Sequence, residues 1–359
     1  MAQATLSLKP DLAEATERWL AFWQHDIIDR PACSIRAPRA GAERVGGPPY
    51  LAGAKGDWQP IVEQALASLE GWYWAGEAIP AYVPSFGPDQ MAAFLGGELV
   101  IPDDDSHYGT DWVLPNVENW DDSLPFVLDP DNYWWQRMLA FYRDLAAAFE
   151  GKAVLSHLDL HSNMDTLLAL RGGEKLCLDL ALEPEAIDRA MASVRAQYAP
   201  IYDGIYEAGQ MARCGTVGWV QAYHPVRTNT IQCDFAALIG PKQFDKWVAP
   251  ALAEEAAHLG HCVYHLDGPE CIVHLETLCA IDGLDCIQWV HGARNKGFRE
   301  WMDLLKRIQS LGVAVWVPCA VEEIPYYHGE LDPTLVWYDA WAGSEQQADE
   351  TLQWLKNNT

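Results

Sequence analysis

Eight short apolar runs, each followed by a segment with helical spacing, constrain this chain more than any other feature. The runs fall at 32–37, 79–83, 153–159, 214–221, 262–267, 285–290, 313–317 and 335–341. Helical periodicity covers 10–25, 59–75, 136–150, 164–170, 184–209, 241–259, 270–279, 297–311, a segment beginning near Glu322, and 344–356. In the first of these, Leu12, Ala15, Trp19, Leu20 and Trp23 share a helical spacing behind Asp11, a residue type that caps helices. Continuous runs such as Val313-Ala-Val-Trp-Val317 suit parallel strands buried on both faces. Strand–helix alternation sustained eight times predicts an α/β fold of the (β/α)8 TIM-barrel type, a single domain over residues 1–359. An open doubly wound sheet is the competitor, and no run is followed by a Gly-rich phosphate loop. Residues 88–135, rich in Asp, Trp, Pro and Gly, interrupt the alternation. They read as an elaborated loop or small subdomain, serving as a lid or as the interface of a homodimer.

The charge balance narrows the partners. Fifty-one acidic against 24 basic residues leave a net charge of −27, and no Lys/Arg run overrides that field. Nucleic acid and an anionic membrane surface are both repelled. Nine cysteines are scattered with no CxxC pair, a pattern of small buried hydrophobes in a reducing compartment. With no leader-like N-terminus and no apolar run of spanning length, the expected location is cytoplasmic. The 17 tryptophans raise the prospect of sugar binding, because indole rings in loops beside acids grip sugar faces.

In the predicted fold the site lies at the C-terminal strand ends. Two runs end alike, in His157-Leu-Asp159-Leu-His161 and in His265-Leu-Asp267 before Gly-Pro. Side chains two apart on a strand share a face, so each pair sets an imidazole beside a carboxylate. The other polar candidates are Arg36 and Arg39 after the first run, Asp165 beyond the third, and Trp219, Gln221 and His224 at the fourth. Asp234 lies in the loop beyond, Gln288, Trp289 and His291 close the sixth run, and Asp339 and Trp341 close the eighth. Glu77 precedes its run but has an aromatic setting, Trp72-Tyr-Trp-Ala-Gly-Glu77. Three chemistries fit these residues. Paired carboxylates serve glycoside hydrolysis. His and Asp at strand ends bind a divalent metal. Arg36 and Arg39 clamp a carboxylate or phosphate.

Several segments carry a resemblance: Arg30-Pro31 leading into Ile-Arg36-Ala-Pro-Arg39, Gly-Glu77-Ala-Ile-Pro, and Asp159-Leu-His-Ser-Asn-Met-Asp165 with Leu-Ala-Leu-Arg171-Gly. Gln-Cys-Asp234-Phe, Tyr-His265-Leu-Asp267-Gly-Pro and Ile-Gln288-Trp289-Val continue it. Together they resemble a branch of the uroporphyrinogen decarboxylase-like superfamily, which includes zinc-dependent corrinoid methyltransferases. The resemblance spans nearly the whole chain and implies a (β/α)8 barrel. It implies zinc held by a His-x-Cys pair and a later Cys, whereas this chain has His265-x-Asp267 and, late in the sequence, Asp339-Ala-Trp341-Ala-Gly. Cys319 is the one cysteine placed for the late role. Porphyrinogen decarboxylation fits poorly, because that substrate's eight carboxylates call for clustered arginines.

The leading expectation is a carbohydrate-active enzyme of the glycoside hydrolase type acting on a small sugar. Asp267 and Asp159 would form its acid/base pair, with His265 and His161 tuning them or holding hydroxyls; the remaining candidates would line the substrate. The alternative is a methyltransferase or demethylase that hands a methyl group to a corrinoid protein. There His265 and Asp267 would hold a divalent metal such as zinc, or polarise a methoxy or amine substrate. A non-catalytic small-molecule binder is the third reading.

Overall fold

Residues 5–101, 112–292 and 297–359 are described in a computed structural model of the chain. Helix α1 (Leu12–Trp23) leads into β1 (Ala32–Pro38), and α2 (Gln59–Glu70) leads back along β2 (Trp72–Gly76). Then come β3 (Ala81–Tyr82), the hairpin of β4 (Glu98–Val100) and β5 (Trp112–Leu114), α3 (Tyr133–Phe149) and β6 (Val154–Leu155). Helices α4 (Asn163–Arg171) and α5 (Pro184–Ala208) precede the hairpin of β7 (Thr216–Val217) and β8 (Tyr223–His224). After β9 (Asn229–Gln232) the order is α6 (Ala249–Leu259), β10 (Cys262–Asp267) and β11 (Leu284–Val290). The chain ends with α7 (Met302–Ser310), β12 (Ala314–Ala320), β13 (Val336–Trp341) and α8 (Glu345–Asn358). No described helix is long and apolar enough to cross a membrane.

The main sheet has seven strands among the described residues, in the order β2-β1-β13-β12-β11-β10-β9. β2 pairs antiparallel with β1, and the remaining neighbours are parallel. The chain is thus α/β, but the expected eight-stranded TIM barrel is not what it forms. Three of the runs expected as strands contribute only the two-residue strands β3, β6 and β7, which pair outside the main sheet: β3 with β6, and β7 with β8. The causes are local. Pro80 and Pro84 bracket β3 and cannot donate to a ladder. Beyond β6, the Ser156 hydroxyl donates to the Gly218 carbonyl at 2.8 Å and His157 stacks flat on Tyr202 at 4.0 Å. At β7, a Cβ on Gly218 would meet the Thr230 amide at 2.9 Å. Two strands of the main sheet come from stretches expected to be otherwise. Trp72–Gly76 was expected to end a helix, but Gly71 stops that helix and the aromatic run that follows suits a pleated surface. Asn229–Gln232 lies in a stretch expected to be loop. Residues 102–111 of the 88–135 segment lie outside the described residues; the rest holds the β4–β5 hairpin and two short helices, Gln90–Phe94 and Trp120–Ser123.

The two faces of the sheet differ, and the difference places the site. Tyr264, Leu266, Ile287, Trp289, Val315, Val317 and Tyr338 point into the large core beneath the surrounding helices. The opposite face is apolar only in its N-terminal half, where Ala32, Val263, Cys286, Ala314 and Trp337 pack against Leu12, Trp19, Phe22 and Trp23 of α1. Burying a side chain of Leu or Phe size is worth about 1.5–3 kcal/mol, so this stripe holds α1. Its cap does not, because the Asp11 carboxylate accepts from Lys9 at 2.8 Å and makes no cap bond. The indoles of Trp19 and Trp23 donate to the carbonyls of Glu77 and Tyr223, so no buried N–H is left unpaired there. Farther along the same face, four of the strands turn polar: Arg36 on β1, His265 and Asp267 on β10, Gln288 on β11 and Asp339 on β13.

Candidate functional site

The pairing register assembles the site. His265 lies opposite Gln232 of β9 on one side and Gln288 of β11 on the other. Asp267 is two residues farther along β10 on the same face, and Asp234 is two residues past Gln232. Asp234 and Asp267 therefore come level beyond the imidazole. One ligand atom from each of Asp234, His265 and Asp267 lies within 4.8 Å of the others. Gly268 ends β10 in the left-handed region at φ +82°, a turn that suits a residue without Cβ. Around the imidazole, His265 Nδ1–H donates to Gln288 Oε1 at 2.6 Å, and the Trp219 ring meets it edge-on at 5.0 Å.

Helix α4 supports the site from the other side. Asp165, buried in its first turn, accepts the backbone N–H of Asp234 and of Phe235, each at 2.8 Å. Those two bonds hold the 3-10 turn Asp234–Leu238 against α4. Asn163, at φ +52°, donates to the Gln232 carbonyl at 2.9 Å and so ties the end of β9 to the same helix. His161 Nε2 sits 3.5 Å from Asp159 Oδ2. Burial opposes charge on this imidazole, but Asp159 beside it, with Asp165 and Asp234 beyond, outweighs burial and pushes its pKa up to about 10. The ring is an imidazolium among carboxylates. Asp234 and Asp165 are both pushed above the usual carboxylate range, by burial first. His161 and His265 pull Asp234 back down, while the Asp234 charge pushes Asp165 further up. One oxygen each of Asp159 and Asp234 is buried without a hydrogen-bond partner, as is the indole nitrogen of Trp219.

Asp159, His161, Asp165, Trp219, Asp234, His265, Asp267 and Gln288 thus belong to one neighbourhood. Arg36 and Asp339 form a second pair on the same sheet face, 3.0 Å apart, with the Trp316 indole donating to Asp339 at 3.3 Å. Trp341 stands at the end of β13, 51% exposed. The other candidates go elsewhere. Glu77 is fully buried and holds Arg30 through two bonds, at 2.5 and 2.9 Å, while also accepting the Cys33 amide; it fastens the end of β2 to β1. Arg39 lines a separate groove of about 630 Å³ formed by α1, β2 and α8. Trp289 faces the large core and packs on Trp301. Trp219 and Gln221 lie between β7 and β8, and β8 then runs back, leaving His224 beside Trp23 and His261 at the N-terminal edge of β10. His291 follows β11 and donates to the Gly292 carbonyl. Two residues were not foreseen. Gln90 donates to the Asp159 carbonyl at 2.5 Å. Glu255 of α6 accepts the Ser162 hydroxyl at 2.7 Å and Asn163 at 3.2 Å. A signal for Glu255 was present, since it falls on the buried stripe Ala251, Leu252, Glu255, Ala256 and Leu259.

One imidazole and two carboxylates suit a divalent cation that accepts nitrogen and oxygen ligands. The unpartnered buried oxygen of Asp234 agrees with that use. A thiolate zinc centre does not fit. Cys319 alternates to the helix-facing side of β12, away from the site face. Cys233 turns its sulfur to Asp165 at 3.7 Å, and burial with nearby Asp234 and Asp267 pushes the Cys271 thiol up to about 12. The nine cysteines carry no disulfide.

No protein-family model matches the chain, and no curated protein matches it. Among solved structures, a methyltransferase from Methanosarcina mazei is similar, with a TM-score of 0.58 at 12% identity over 96% of this chain and 98% of that one. The likeness is one of fold, and it extends over nearly all of both chains.

Proposed function

We propose that the protein is a methyl-transfer enzyme whose donor, a methoxy or amine compound, binds over Asp234, His265 and Asp267. The observation that carries this reading is the convergence of those three side chains at the ends of adjacent parallel strands. Among the chemistries such a cluster can support, methyl transfer is favoured by the full-length fold likeness to a methyltransferase. A divalent cation held by the three residues would act as a Lewis acid on the heteroatom that carries the methyl group. The protein's own groups do the rest. Trp219 and the strand ends shield the donor from water on one side. His161, kept protonated by Asp159, supplies the proton that the departing nitrogen or oxygen takes as the methyl group leaves without the bonding electrons. A corrinoid carried by a partner protein is the acceptor that the family resemblance implies.

The glycoside hydrolase expectation has no support in the comparisons. Asp159 is engaged by His161, and Asp267 is grouped with Asp234 and His265, so neither stands alone as an acid or nucleophile. A donor panel of methylated amines and aromatic methyl ethers, assayed with free cob(I)alamin as acceptor, tests the proposal. Methyl-cobalamin formation that disappears in His265→Ala is the expected result. Hydrolysis of a chromogenic glycoside with no methyl transfer from any donor would overturn it.

A further inference from the structure

We propose that Gln288 is a positioning residue: its amide oxygen locks His265 in the Nδ1–H tautomer and so keeps the Nε2 lone pair free. The two residues face each other across the β10–β11 pairing, on the same side of the sheet. The Nδ1–Oε1 distance is 2.6 Å, and an amide oxygen only accepts, so the ring proton must sit on Nδ1. Gln288 is buried, which keeps water from replacing this acceptor cheaply. The Trp219 edge at 5.0 Å restricts the imidazole from turning its other nitrogen toward Gln288. An unconstrained neutral histidine favours the opposite tautomer, with the proton on Nε2. There the ring would present an N–H, not a lone pair, to a cation or to any group needing a base. Which nitrogen is protonated follows from the bond the other one makes, and here Gln288 makes it.

The tautomer is a property of the free protein. Its consequence for metal binding rests on the proposed function, and the two are measured separately. In protein labelled with 15N-histidine at mildly alkaline pH, the imidazole nitrogen shifts report the tautomer, with His265→Gln identifying the resonances. Wild type is expected to show a protonated Nδ1 and a lone-pair Nε2. Gln288→Leu is expected to move the ring to the Nε2–H form, and Gln288→Glu, which keeps an acceptor oxygen, to restore Nδ1–H. In zinc titrations Gln288→Leu should lose about tenfold or more in affinity, with Gln288→Glu closer to wild type. Wild-type His265 in the Nε2–H form would overturn the proposal, whether or not the leucine variant folds; so would a leucine variant that keeps Nδ1–H. A tautomer switch in protein that binds no zinc would uphold Gln288's role and remove the metal from the proposed function.

Discussion

Asp165 shows how much of this site depends on residues that need not touch a substrate. Its two oxygens take one backbone N–H each, from Asp234 and Phe235, and an amide in its place offers an acceptor oxygen at only one of the two positions. In Asp165→Asn the amide oxygen replaces one acceptor and the NH2 group faces the other donor. A buried N–H left unpaired costs about 1–3 kcal/mol. Chemical denaturation of this variant should show a loss of that size, with faster hydrogen exchange confined to the turn that begins at Asp234. Unchanged exchange there would mean that the turn is held by something else. The same residue scale explains what could be read in advance. His265 and Asp267 share a face because they are two apart on a strand, which spacing alone reveals. Asp234 joins them only through the register between β9 and β10, and β9 lies in a stretch that composition marks as loop. His224 looked equivalent to Trp219 and is not, because a reversal five residues long carries it to the other end of the hairpin.

Among elements, the parallel strands β10–β13 were legible because each is a short, largely apolar run bounded by helical segments. The short strands β3, β6 and β7 were overestimated, since prolines, glycines and buried polar side chains cut them short while leaving their apolar character intact. Strand β2 and its antiparallel pairing with β1 were hidden inside an aromatic run at the end of a predicted helix. The fastening of that pairing by Glu77 gives a prediction. Glu77→Gln leaves the Arg30 guanidinium buried without its counter-charge, a change expected to cost about 3–5 kcal/mol in a denaturant melt. A cost below 1 kcal/mol, the range of a surface pair, would contradict that role. The contact between α4 and α6 gives another. Burial lifts the Glu255 carboxyl from its ordinary 4.5 to about 8, against the opposing bonds from Ser162 and Asn163. Between those values the folded chain holds a proton that the unfolded chain has released. Stability is therefore full below about 4.5 and falls as pH rises through about 8. Glu255→Gln, permanently neutral, should flatten the alkaline side of the stability–pH curve and be the more stable protein at its upper end. A parallel curve would show that Glu255 is ionised in the fold.

At the scale of the whole molecule, the polar half of one sheet face is what turns a packed α/β fold into a site, and the apolar half of the same face is what anchors it on α1. Histidines away from the site set the acid limit of the fold. Burial pulls His157 from 6.5 down to about 4, against the bond its Nε2 makes to the Tyr202 carbonyl. It is neutral in the fold while the unfolded chain takes up a proton near 6.5, so stability is lost as pH falls from there toward about 4. His224, lowered in the same way by burial and by His261, adds to the loss. Thermal melts across that range should show a steady decline, less steep in His224→Gln. The central claim, that Asp234, His265 and Asp267 form a cation site serving methyl transfer, is tested most directly by elemental analysis. Wild type and His265→Ala would both be purified without chelator. Stoichiometric divalent metal in the wild type that disappears in the variant is the predicted result; wild-type protein free of metal, and unable to take up added zinc or manganese, would contradict it.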